Sequence, residues 1–145
     1  MSKVTTALQT VLANTYALAI KTHAAHWNVS GNGFFQLHDA FGQQNDALFE
    51  AADYLAERIR ALNEKAPAGM NALSKATTLG DLSGDYSGIS IATTLRDDHR
   101  SAAKSCESAR AIAAEAGDDV TADMLIERID AHDKTAWMLD AYVAK

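Results

Sequence analysis

An all-α fold of four long helices, with one long connection between the second and the third, is what the chain predicts. Three observations carry this expectation. Only one proline and eight glycines occur in 145 residues, so long stretches run without a helix breaker. Hydrophobic residues make up 48% of the chain and recur every three or four positions, the spacing of an apolar helical stripe. Gly, Ser, Thr and Asp are enriched over one long stretch, residues 66–88, which divides the periodic segments into two pairs. At this length a single domain over residues 1–145, with one real core, is expected.

The first helix is read from about Thr5 to Trp27, with Leu8, Val11, Leu12, Tyr16, Leu18, Ala19 and His23 in register, and the Asn28 to Gly33 cluster ends it. The second runs from Phe35 to about Asn63 on Leu37, Phe41, Leu48, Ala52, Leu55 and Ile59, with Pro67 and Gly69 as its stop. The crossover has room for one short helix near Ala72 to Lys75. The third spans about Ser90 to Ala116 and ends at Gly117, a favoured helix stop. The fourth opens at Asp118-Asp119, a pair suited to capping and to the helix dipole, and continues to about Val143. This order matches the ferritin-like four-helix bundle, whose one crossover joins helices two and three.

A formal charge of −6 with no basic arm at either end disfavours DNA and anionic membranes as partners and suits attraction of cations. No apolar run approaches the roughly 20 residues of a membrane span. Cys106 is alone and the amino terminus lacks the layout of a signal peptide, which predicts a reducing, cytoplasmic setting.

A di-iron centre inside one such bundle uses Glu-x-x-His pairs, and none occurs here. Asp53 and Glu57, however, are four residues apart and about 40° apart around a helix, so two carboxylates point the same way. The same pair also fits a solvated face with a Glu57–arginine salt bridge. His26 closes the first helix and His38 opens the second, so the turn can bring them together, although a histidine at a helix end also serves packing or the helix dipole. His38 and Asp53 are 15 residues apart, about 22 Å along a helix, and cannot share an ion within one chain. A second copy removes the difficulty. If helix two packs antiparallel against its twin about an axis near Asp46 and Ala47, the histidines of one chain meet Asp53 and Glu57 of the other, twice over. Mixed imidazole and carboxylate ligands with open positions suit Fe(II), and zinc fits the same ligands.

His26-Trp27-Asn28-Val29-x-Gly31, Phe35-x-Leu37-His38, the Asp53 to Arg58 run, Gly117 to Asp123 and Lys134 to Met138 occur in order along nearly the whole chain. This ordered set resembles Dps, the mini-ferritins named for DNA-binding proteins from starved cells. The resemblance implies a hollow homododecamer with ferroxidase sites at two-fold interfaces. His26 and His38 would be ligands from one subunit, and Asp53 and Glu57 from its partner. It further implies oxidation of Fe(II), preferentially by hydrogen peroxide, and storage of ferric mineral in the cavity. Trp27 would be an electron donor beside the site, in addition to any packing role. Asp119 and Asp123, with Glu127 one turn further, would line three-fold pores for iron entry, while Asp118 or Asp119 also caps the helix.

The sequence departs from the family twice. Members commonly carry an acidic residue four positions after the second histidine, where this chain has Gly42; a lost ligand there predicts weaker binding of one of two irons. Asp46, about 12 Å from His38 along the helix, and Asp39, about 100° around it, do not replace the ligand, and His23 is expected to assist at most from behind. Members that condense DNA use a lysine-rich extension, whereas the first helix here begins almost at Lys3, so direct DNA binding is not expected. His99 and His132 read as structural or surface residues, and Cys106 as a packing residue. The competing function is a metal-sequestering or nucleoid-associated cage with little ferroxidase activity, which Gly42 favours and the four retained ligands oppose.

Overall fold

The computed structural model describes residues 1–144, and its helices are α1 (Lys3–Asn28), α2 (Phe34–Ala61), α3 (Met70–Ala76), α4 (Gly88–Glu115) and α5 (Asp119–Val143). The four long elements pack as two antiparallel hairpins, α1 with α2 and α4 with α5, and α1 also packs on α4. No strand occurs among the described residues, only an isolated bridge between Ser30 and Ser87. The all-α bundle with its crossover, including the short helix, is as the sequence predicts.

Caps explain the boundaries. Ser2 accepts from the Thr5 N–H at 3.1 Å and starts α1, Ser87 does the same for α4 through Ser90, and Asp118 starts α5 by accepting from the Thr121 N–H at 3.0 Å. The stop of α2 differs from the expectation built on Pro67 and Gly69. Asn63 adopts a left-handed φ of 66°, its N–H bonds the Arg60 carbonyl, and the Glu64 N–H bonds that of Ile59. That is a Schellman closure with asparagine where glycine is usual, and it ends the helix before the proline is reached. Gly117, at φ 74°, ends α4 in the same way.

The interior falls into two apolar clusters. One gathers Leu8, Leu12, Leu55, Ile59 and Leu125, and the other Leu18, Phe41, Leu48, Ile91 and Leu95. Polar pins hold the crossover to α1. Buried Asn14 accepts from the Thr77 hydroxyl and the Thr78 N–H, both at 2.8 Å. Lys21 donates to the Gly80 carbonyl at 3.0 Å and pairs with Asp98 at 2.7 Å.

Candidate metal centre

The turn between α1 and α2 is made of backbone that only glycine adopts freely. Gly31 and Gly33 have φ of 88° and 80°, left-handed values that cost any residue with a Cβ. This tight reversal sets the end of α1 beside the start of α2, and His26 and His38 meet there. Their rings stack with centroids 3.8 Å apart and planes 14° apart, and Phe34 covers the outer face of His38 at 5.2 Å.

Each imidazole is oriented by the other residue's backbone. His26 Nδ1 lies 2.5 Å from the His38 carbonyl oxygen, and His38 Nδ1 lies 2.7 Å from that of His26. A carbonyl only accepts, so both Nδ1 atoms carry the proton. Both Nε2 atoms are left with lone pairs, the state in which imidazole binds metal. Gly42 sits against this pair. A Cβ at that position would lie 3.1 Å from His26 Cε1 and 3.2 Å from its Nδ1, so the glycine leaves the space that the His26 ring uses.

Asp53 and Glu57 lie on the same side of α2, toward its far end. Both are exposed, and together with Glu50, Tyr54, Glu127 and Arg128 they border an open cavity of about 460 Å³. The expected partner of Glu57 does not hold it. Arg58 instead pairs with Asp118 of α5 at 2.8 Å and donates to the Thr121 hydroxyl at 2.9 Å, so the pairing of Glu57 with a neighbouring arginine is not what forms. Among the described residues neither Asp53 nor Glu57 is in an ion pair.

Because α2 is continuous from Phe34 to Ala61, His38 and Asp53 stay about 22 Å apart along it, and Glu57 lies one turn further. No cluster of three or more His, Cys, Asp or Glu side chains in the described part of one chain is placed to hold a metal. The chain therefore carries two separated pairs of ligand-type groups. Trp27 is 63% exposed and rests on His23, ring centroids 4.2 Å apart, so within one chain it is not wedged between helices. Asp119 and Asp123 are exposed at the start of α5. Glu127, one turn further, is drawn to the Asp53 and Glu57 cavity, as is Glu50, which the sequence reading missed although it lies three residues before Asp53.

His99 and His132 are not surface residues. They are buried and touch across the α4–α5 pair. The signal lay in their register, since Leu95, His99 and Ala102 share one apolar stripe and His132, Ala136 and Leu139 another. Cys106 is buried as a packing residue, and burial pushes its thiol up to about 11.

Residues 5–145 match the ferritin-like domain family. General stress protein 20U of Bacillus subtilis is 32% identical over 132 residues, covering 91% of each chain. The DNA protection during starvation protein of Brevibacillus brevis is 32% identical over 133 residues, covering 91% of this chain and 89% of its own. Among solved structures, Dps from Staphylococcus aureus superposes with a TM-score of 0.95 at 31% identity, covering 98% of this chain and 95% of that one. The Vibrio cholerae Dps protein, described as a member of a broad superfamily of ferritin-like diiron-carboxylate proteins, does so with 0.93 at 29%, covering 98% and 89%. The chain belongs to the ferritin-like family, as a Dps mini-ferritin.

Proposed function

We propose that this protein is an iron-storing and iron-detoxifying ferroxidase that oxidises Fe(II), preferentially with hydrogen peroxide, at sites shared by two subunits. Iron handling and protection follow from the family. One observation carries the shared site. The uninterrupted helix α2 carries His38 near one end, stacked on His26 from the end of α1, and the unpaired Asp53 and Glu57 carboxylates about 22 Å and more along it. An antiparallel two-fold pairing of α2 about Asp46 and Ala47 brings His26 and His38 of one subunit to Asp53 and Glu57 of its partner, and makes two such sites.

Fe(II) is the substrate of this site. Neutral imidazoles and carboxylates bind it while leaving positions for an oxidant. Two Fe(II) ions each lose one electron, the peroxide O–O bond breaks, and two protons complete two waters. Both reagents of radical-forming chemistry are thereby consumed. Where a single iron is bound, exposed Trp27 supplies the second electron. Asp119 and Asp123, repeated three times around a three-fold axis of a dodecamer, form acidic rings that draw cations inward, with Glu127 between pore and site. Zinc competes for the same ligands. The net charge of −6 disfavours direct binding to DNA.

A second reading, a passive metal-sequestering or nucleoid-associated cage, is favoured by Gly42, which supplies no carboxylate beside His26. Anaerobic Fe(II) titration of the assembly, followed by peroxide with ferric absorbance and peroxide consumption monitored, separates the two. Saturable binding and fast coupled turnover support the ferroxidase. Weak binding with only background oxidation leaves the cage. Two equally tight Fe(II) ions per site would show that Gly42 costs the centre nothing.

A further inference from the structure

The turn that seats the two imidazoles carries a reactive dipeptide. Asn32 is followed by Gly33, the one Asn-Gly step in the chain, and Asn32 is exposed. Among the described residues only its backbone carbonyl is hydrogen-bonded, and the Gly33 N–H has no acceptor. An unheld asparagine side chain brings its Cγ to the next backbone nitrogen by bond rotation alone, and glycine, without a Cβ, leaves that approach open. Gly33 is also the N-cap of α2, where the positive end of the helix dipole favours loss of the amide proton. Every other asparagine is hindered. Asn14 and Asn45 are buried inside α1 and α2. Asn28 donates to the Ala24 carbonyl at 2.9 Å and is followed by branched Val29. The Glu64 N–H after Asn63 is committed to the Ile59 carbonyl, and Asn71 precedes Ala72, whose Cβ crowds the attack.

We propose that Asn32 is a site of spontaneous deamidation and isomerisation, and that its isoaspartyl product uncouples His26 from His38. The Gly33 nitrogen attacks the Asn32 Cγ, an N–Cγ bond replaces Cγ–Nδ2, and ammonia leaves with the Gly33 amide proton. Water then opens the cyclic imide on one side of its nitrogen. Opening at Cγ restores an ordinary backbone with aspartate in place of Asn32. Opening at the main-chain carbonyl leaves the chain running through Cβ and Cγ, one atom and about 1.5 Å longer. The turn has no slack for it. The Ser30 N–H holds the Tyr86 carbonyl at 3.2 Å, the Phe34 N–H holds that of Gly31 at 3.1 Å, and the Tyr142 hydroxyl donates to the Asn32 carbonyl at 3.1 Å. A Cβ at Gly33 would already lie 2.9 Å from the Tyr142 hydroxyl oxygen, and one at Gly88 3.2 Å from the Asn32 carbonyl. The added length therefore passes to the ends of α1 and α2, where crossed Nδ1–H bonds of 2.5 and 2.7 Å hold the rings. The aspartate product keeps the chain length, and its charge before α2 suits the helix dipole, so the pair stays in place. None of these steps depends on iron oxidation.

The metal-free assembly is aged at mildly alkaline pH and its tryptic peptide of residues 22–58 is analysed by mass spectrometry, with fragmentation that separates isoaspartate from aspartate. Asn32 should convert ahead of every other asparagine. An unmodified Asn32, or conversion no faster than at Asn28, would overturn the site. Crystals of the isoaspartyl fraction should then show the loss of both crossed hydrogen bonds, while aged Asn32→Gln, whose longer side chain closes the ring poorly, and fresh Asn32→Asp keep them. An intact His26–His38 stack around the isoaspartyl turn, or the same loss in Asn32→Asp, would overturn the uncoupling.

Discussion

His26 and His38 orient each other, the Nδ1–H of each donating to the backbone carbonyl of the other, at 2.5 and 2.7 Å. The arrangement fixes both tautomers before any metal arrives and ties each Nε2 to the geometry of the α1–α2 turn. Pre-set ligands bind without the cost of ordering two rings.

Replacing His38 by alanine should therefore cost more than one ligand, because the support of the His26 ring changes as well. Losing even a supporting group of a metal ligand weakens affinity about 10–100-fold, so His26→Ala and His38→Ala should each reduce Fe(II) affinity by at least that much. The double variant should add little further, since either change disables the pair. Anaerobic Fe(II) titration of the three variants checks this, and a fully additive double variant would mean that the rings act independently.

Gly42 tests the geometry from the other side. Alanine there should favour the helix by roughly 1 kcal/mol, but its Cβ would press on His26 at 3.1 Å. The ring must give by a few tenths of an ångström against its bond to the His38 carbonyl. We expect Gly42→Ala to hold or slightly raise Tm while lowering the oxidation rate several-fold, and Gly42→Asp to add a carboxylate at the expense of the His26 position. Oxidation by Gly42→Ala at the wild-type rate would show that the glycine does not set the ring.

The bundle was legible because long apolar stripes, few breakers and strong caps such as Asp118 are local properties. The Asn63 stop was harder to see, since asparagine tolerates a left-handed φ without advertising it as glycine does. The pairing of His26 with His38 and of Asp53 with Glu57 was readable from spacing, and so was the separation of the two pairs, because helix rise converts 15 residues into a distance. Partner choice was not. Arg58 reaches Asp118, which is 60 residues away in sequence, and His99 finds His132 across two helices. Only packing reveals such pairs.

Asp118 joins three functions: it caps α5, accepts from the Thr121 hydroxyl and pairs with Arg58. Asp118→Ala should destabilise the fold by about 1–3 kcal/mol, mostly through the cap, because the partly exposed ion pair is worth less. Asp118→Asn should lose only the smaller part. Burial pushes the carboxyl up, but the Thr121 hydroxyl and N–H and Arg58 outweigh it, so it titrates below the ordinary aspartate range. Its contribution is thus complete above about pH 4 and is lost as pH falls through the lowered folded value. In thermal melts the wild type should approach Asp118→Asn at low pH, while the gap between Asp118→Asn and Asp118→Ala, neither of which titrates at this position, should persist.

His99 and His132 act in a different pH window. Both are held below the ordinary histidine value of about 6.5, His99 to about 4 and His132 to about 2, chiefly by burial. The unfolded chain therefore takes up protons first as pH falls below 6.5, which favours unfolding. Stability should be flat above about pH 7.5 and decline through pH 6 to 5, by about 2 kcal/mol per histidine at pH 5, with the His99 part levelling off below about pH 4. The variant His99→Leu/His132→Leu exchanges both hydrogen-bond partners for apolar groups, a change that can be nearly neutral at high pH. Its Tm should fall less than that of the wild type between pH 8 and pH 5. Parallel declines in the two proteins would place the acid sensitivity elsewhere in the chain.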